Sequence, residues 1–277
     1  MKAIVFCFCT LFPGQFILAC DIDAGRQSGL AGGIMLSAPS ATDMLACPTG
    51  DMCGYKILFE TGFQRKFELS DLDKAFISAG YGFGRLDLAV GYSQFGECGY
   101  YVERLLKSGA TIRLGRAAIS AQLSLKKIEI GAEDERLDLH ALSSAVAAGL
   151  NSSPYHIGIM IDNINRPRPE KNSVKDNAQY KMYGEIEGLS RFSITGYMAF
   201  EERQRPVFSI GQYIRPAEGG AVFWGVSDNP TIYGGGLEIN CAGLWLMYAV
   251  SFHPVLGFTH NVSISYHKMK SPCNEGR

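Results

Sequence analysis

Long apolar runs are absent from this sequence beyond its first 20 residues. No uncharged stretch there approaches the ~18 residues that a spanning helix needs, which excludes a helical membrane protein. Charge is scarce too. Asp, Glu, Lys and Arg make up 19% of the chain, against ~25% in an ordinary soluble domain. The formal net charge is −1, so a basic nucleic-acid surface is not indicated. Disorder is excluded, since 47% of the residues are hydrophobic and ample apolar surface is available to bury. The motifs of catalysis are missing as well: there is no G-x-S-x-G, no G-x-x-x-x-G-K-[ST] and no H-E-x-x-H. Cysteine occurs without C-x-x-C or paired metal-ligand spacing, which argues against a structural zinc site. Neither an enzyme nor a bound cofactor or metal is therefore expected.

What the chain does have is glycine, 32 residues, and aromatics at 11%. A weakly charged chain rich in Gly and Tyr, with no spanning helix, leaves a soluble all-β protein or a membrane β-barrel. The N-terminus narrows the choice. Lys2 is the only charge before Asp21, and Ala3 to Phe12 is an apolar stretch of signal-peptide length. The following Ile17-Leu18-Ala19-Cys20 resembles a bacterial lipobox, which makes Cys20 a candidate for acylation; an ordinary secretory signal over residues 1–19 is the other reading. In the oxidising compartment that export implies, Cys47 and Cys53 are candidates for a small disulfide loop.

From Tyr55 onward one pattern recurs: about ten residues of apolar/polar alternation, then a break. Such alternation puts apolar side chains on one face of a strand. Leu86, Leu88, Val90 and Tyr92 share a face, as do Ile119, Leu123 and Leu125, then Leu244, Leu246, Tyr248 and Val250, and finally Val262, Ile264 and Tyr266. The opposite faces carry Ser, Ala, Gly, Gln and Asn rather than Lys and Glu, which suits a lumen better than bulk water. Aromatics cluster near strand ends, as interfacial girdles require. Fourteen strands are predicted, from Tyr55–Gly62 to Asn261–Lys268. Links after odd strands are longer, as in Asn163–Ala178 and His253–His260. Most links after even strands are tight, as in Gly115-Arg116 and Leu189-Ser190. An up-and-down barrel has this phase, with tight turns periplasmic and long loops external. The expected fold is thus all-β, a 14-stranded antiparallel transmembrane β-barrel over residues 55–268. A Gly-rich segment at 20–54 precedes it, as a leader or an inward-folded plug, and a polar tail at 269–277 follows.

Two stretches resemble a known family. Gly25-Arg26-Gln27-Ser28-Gly29-Leu30-Ala31-Gly32-Gly33, running on to the turn Cys47-Pro48-Thr49-Gly50, is similar to the N-terminal hatch of PorV/PorQ-like proteins. These belong with the wider FadL-type fatty-acid transporters. The family pattern is S-A-R-x-x-G-M-G-G-A followed by N-P-A-G; Cys47 stands where the family has Asn, and Thr49 where it has Ala. The hairpin from Tyr248 to Tyr266, with His253-Pro254 and Thr259-His260, resembles Y-A-x-x-x-H-P-x-L-G-x-T-H-R-I-S-L-S-Y. Shorter matches are Tyr92–Gly96 and Asn165-Arg166-Pro167-Arg168-Pro169.

The resemblance implies a hatch over residues 20–54, turning at Pro48 and Gly50. It implies an outer-membrane setting with lipid and lipopolysaccharide as surroundings. Separately, the basic, Pro-rich Arg166–Lys175 loop reads as a plain exposed loop, with contact to lipopolysaccharide phosphates as the other reading. For function the resemblance implies a component of type IX protein export that escorts secreted cargo without catalysis. Pro254, Val255, Leu256 and Phe258 would then form a partner-binding loop. The alternative it implies is a FadL-like channel for small hydrophobic molecules. Two other clusters, His253 with His260 and Glu133-Asp134-Glu135, read as polar loop termini rather than metal or acid–base sites.

Overall fold

A computed structural model of the chain describes residues 22, 25–37, 39–50, 55–97, 100–132, 135–167, 176–188, 191–202, 204–217 and 219–269. Fourteen antiparallel strands form one closed barrel. They are β1 (Tyr55–Arg65), β2 (Asp73–Phe83), β3 (Leu86–Glu97), β4 (Tyr101–Leu114), β5 (Ala117–Ala132), β6 (Glu135–Ser152) and β7 (Tyr155–Asp162). The circuit continues through β8 (Gln179–Glu187), β9 (Phe192–Glu201), β10 (Val207–Ala217), β11 (Gly220–Asp228), β12 (Ile232–Cys241), β13 (Leu244–His253) and β14 (Gly257–Met269). Each strand pairs with its sequence neighbours, and β1 closes the ring on β14, with Phe59 opposite Tyr266 and Phe63 opposite Val262. Two short helical turns, α1 (Gly25–Gly29) and α2 (Asp43–Ala46), precede the barrel.

The alternation sorts side chains onto the two faces of this wall. Leu88, Val90, Leu123, Ile159, Leu246 and Ile264 are exposed on the outside, where lipid replaces water. Ser78, Ser93, Ser120, Gln122, Asn261 and Ser263 are buried on the inside. Every strand expected from the sequence is present, several of them longer. Two links shrink as a result. β1 runs on to Arg65, so the connection to β2 is two 3-10 turns, Lys66–Glu68 and Ser70–Leu72. The expected His253–His260 loop is only Pro254 to Leu256. His253 Nδ1 accepts from the backbone N–H of Val255 at 3.2 Å and of Leu256 at 3.1 Å, and Phe252 packs on Phe258 across the ladder at 4.9 Å. That turn is closed by its own ends.

The alternation puts Ser124 and Ser263 on the polar face and predicts that an Arg at either costs little, and for Ser263 this needs correction. Ser263 is not a tolerant lumen position. It is buried, its Oγ donates to Glu60 Oε1 at 3.2 Å, and its Cβ lies against Gly62. The interior at that level is filled, so a larger side chain has nowhere to go. Ser124, only partly covered, is the proper comparison. Leu246→Arg or Ile264→Arg should destabilise the barrel by roughly 2–4 kcal/mol near the bilayer midplane, and Ser124→Arg by much less. Equal losses at all three in a urea-titrated folding assay would show that the faces are assigned wrongly.

Candidate functional site: the plugged lumen and its mouth

Residues 25–37 and 39–50 lie inside the barrel, buried almost throughout. Their first half docks on β10–β13. Along one inner row of the wall, Thr195, Gly211, Gly225, Gly234 and Ser251 are successive cross-strand neighbours. The three glycines open a trough, and the backbone of Gly29 and Leu30 lies in it. A Cβ on Gly225 would meet the Leu30 carbonyl carbon at 2.5 Å, and one on Gly234 the Gly29 oxygen at 2.5 Å. Backbone meets backbone here, which only Gly permits. Gly32 turns the chain away with φ +99°, and Leu30 and Met35 pack with Tyr213, Phe223 and Met247.

Arg26 fixes this half electrostatically. Its guanidinium makes two hydrogen bonds to Glu238 of β12, Nε to Oε1 at 2.7 Å and Nη2 to Oε2 at 3.2 Å. A third, from Nη1, reaches Asp43 Oδ2 at 3.3 Å, and the group sits 5.5 Å from the centre of the Tyr213 ring. Burial works against the charge, but Glu238, Tyr213 and Asp43 outweigh it and hold the Arg26 pKa above its ordinary value. Asp43 belongs to the second half, where it also accepts from Gln27 Nε2 and Ser40 N–H. Arg26 and Asp43 thus tie the halves of the plug to each other as well as to the wall.

The second half is held by wall side chains that reach its backbone. Thr111 and Ser120 donate to the Pro48 carbonyl at 2.6 and 3.0 Å, Asn151 Nδ2 to Thr49 O at 2.9 Å, and Gln122 Nε2 to Leu45 O at 3.1 Å. The end of the first half is held in the same way, Glu185 accepting the N–H groups of Leu36 and Ser37 at 2.6 and 2.8 Å. Met44 and Leu45 fill an apolar cluster with Ile22, Leu58, Phe76 and Leu105. A chain without regular secondary structure must find hydrogen-bond partners when buried, and the small polar residues of the inner wall are those partners.

The other sequence candidates are placed as follows. Cys20 and Cys53 lie outside the described residues. Cys47 is a free, buried thiol, and Cys53, its candidate partner, is among the residues not described. The Cys47 Sγ faces Thr49 Oγ1 at 3.1 Å and lies against Gly158 of the wall, and burial pushes its pKa up to about 11. Gly50 lies close against Pro39. In the β13–β14 turn Pro254 and Val255 are exposed, Val255 at 84%. Leu256 is half-buried and Phe258 is on the outer face of β14. His260 bonds to the Tyr248 hydroxyl at 2.8 Å rather than to His253. Glu133 and Asp134 lie outside the described residues, among which no group of metal-ligating side chains forms.

A further feature lies at the long-loop mouth. β5 and β6 have 16 and 18 residues, whereas β7 has 8 and pairs with β6 only from Val146 to Ser152. At about 2.5 Å of height per tilted residue, β6 rises well past the ~25 Å apolar band. Below Leu125 the apolar side chains face outward. Above it the polarity inverts. The outer face carries Lys127, paired with Glu129 at 2.7 Å and Asp138 at 3.3 Å, and Arg104, also paired with Glu129. The inner face carries Ile128 between Glu103 and Leu139, and Ile130 between Tyr101 and Leu137, with Glu103 ion-paired to Lys126 of the same face at 3.1 Å. Ile130 and Leu137 are 37% and 45% exposed. A partly apolar flap therefore extends the wall at the entrance to a polar lumen. Neither it nor the Arg26–Glu238 pair was identified from the sequence, although the Lys126-Lys127 doublet that flips the pattern is legible there.

No family model matches the chain, and no curated protein does. Among solved structures it is similar to the TodX monoaromatic hydrocarbon channel deltaS2 mutant, with TM-score 0.70 and 9% identity over 91% of this chain and 99% of that one. It is also similar to the Pseudomonas putida toluene transporter TodX, with TM-score 0.64 and 8% identity over 90% of this chain and 98% of that one. A Pseudomonas aeruginosa FadL homologue gives TM-score 0.63 and 8% identity over 88% and 98%. The fold is that of FadL-type barrels of the bacterial outer membrane, and the protein is an outer-membrane β-barrel.

The trough makes a sharp test of the plug. Gly225→Val should displace the Gly29–Leu30 turn and raise single-channel conductance in planar bilayers, as should deletion of Ile22–Met44. Gly184→Ala, where a Cβ meets nothing within 4 Å, should leave conductance unchanged. A deletion variant conducting like the full chain would place the segment outside the pore. Arg26→Met should cost about 3–5 kcal/mol of hatch docking by stranding Glu238 and Asp43, measured as the urea concentration at which conductance rises.

Proposed function

We propose that this barrel is a hatch-plugged channel through which small apolar molecules cross the outer membrane. The observation that carries the reading is the flap at the long-loop mouth, where Ile128, Ile130, Leu137, Leu139 and Tyr101 turn inward. An apolar solute in water gains about 25 cal/mol for each Å² it buries there, and the flap extends the wall at the entrance to the lumen. The fold likeness to a hydrocarbon channel and a toluene transporter supports the same reading. It favours a channel over the escort of secreted cargo, for which the turn Pro254 to Leu256 offers one strongly exposed apolar side chain, Val255.

Uptake of radiolabelled toluene by cells producing the protein, compared with cells lacking it, tests this. The initial rate should rise with the protein present. Ile130→Asp with Leu137→Asp should lower it by about tenfold, the factor that 1.4 kcal/mol represents, while the barrel remains heat-modifiable in a gel. Equal uptake with and without the protein overturns the channel. A secreted protein co-purifying with the barrel in that case would move the reading to export.

A further inference from the structure

Basic residues stand at both rims of the barrel. At the long-loop rim many are ion-paired: Arg65 with Asp73 at 2.9 Å, Lys181 with Asp162 at 3.0 Å, and Arg104 and Lys127 with Glu129, while Arg166 and Arg205 are exposed. At the tight-turn rim Arg113 pairs inward with Asp87, and five further bases stand outside any such pair. Arg85 and Arg116 are the second residues of the turns after β2 and β4, Arg191 immediately precedes β9, and Lys268 ends the outer face of β14. Lys56 sits in the bulge that opens β1. All five are exposed, and none makes an ion pair with another described residue. Arg191 donates only to the Pro216 carbonyl at 3.0 Å.

The acids near this rim are already engaged inside the lumen. Asp87 pairs with Arg113 at 2.9 Å, Glu187 with His156 at 3.2 Å, and Glu185 and Glu238 hold the hatch. The unpaired bases span the circumference from β14 round to β9 at one level. In the up-and-down orientation that level is the headgroup layer of the inner leaflet.

We propose that the tight-turn rim is a docking surface for phospholipid phosphates of that leaflet, with a preference for anionic lipids. Guanidinium groups match phosphate oxygens with paired N–H donors. Each base near an anionic lipid surface contributes about as much as one exposed ion pair, or somewhat more. Pairing with rim carboxylates would have neutralised these bases. Left free, the bases fix the depth and tilt of the barrel from the side where its loops are too short to do so.

The test is native mass spectrometry of the full chain released from nanodiscs of phosphatidylglycerol mixed with phosphatidylcholine. Retained lipid should be enriched in phosphatidylglycerol. Arg85→Gln, Arg116→Gln and Arg191→Gln together should reduce that enrichment by about tenfold or more. The matching triple Lys variant should keep most of it, and Arg205→Gln, in the exposed β9–β10 link, should leave it unchanged. Absence of enrichment in the wild type, or enrichment surviving the triple Gln variant, overturns the proposal. A loss in Arg205→Gln equal to that in the triple Gln variant overturns it too, because the binding would then be non-specific to either rim. Heat-modifiability confirms that each variant analysed is a folded barrel.

Discussion

No backbone N–H or C=O can go unpaired in hydrocarbon, and a sheet meets that demand only by having no edge. The pairing of β1 with β14 over Tyr55 to Arg65 is therefore what the rest of the molecule depends on. It converts thirteen hairpin-type connections into a sealed wall, and it forces every strand to present one face to lipid and the other to a shared interior. The apolar band of Leu123, Ile159, Leu246 and Ile264 and the inner row of Ser, Gln and Asn both follow from that closure.

Closure also creates a problem of volume. A wall of fourteen strands encloses more space than its own side chains fill, and here residues 25–37 and 39–50 occupy it. Because that segment is largely irregular, its burial depends on hydrogen bonds from the wall to its backbone. The lumen is polar for this reason as much as for any contact with water. The exceptions are informative. Where the plug comes closest, side chains vanish, at Gly211, Gly225 and Gly234. Where its charge is buried, Arg26, the partners Glu238 and Asp43 come from both wall and plug.

The mouth and the lumen divide labour by polarity. Apolar surface sits above the membrane on the β4–β6 flap, and polar surface lies below it around the hatch. On the channel reading proposed above, an apolar solute would leave water there before it meets the plug. This ordering comes from one change in pattern, at Lys126 and Lys127, that reverses which face of β5 is apolar without altering the ladder.

Much was legible in the sequence, and the physical reason is periodicity. A strand's faces alternate with period two, so strand number, connection phase and the lipid-facing set can be read along the chain one segment at a time. The same holds for the glycine-rich character of the hatch. What the alternation could not give was who meets whom across the interior. Arg26 and Glu238 are 212 residues apart, and no local pattern marks them as partners. Gly234 in the Gly-Gly-Gly run reads as a weak strand until Leu30 is seen lying on its row. Ser263 reads as a water-facing position until Glu60 and Gly62 close over it. Local alternation determined the wall; barrel closure, which alone brings distant strands and the N-terminal segment into one small volume, decided what fills it.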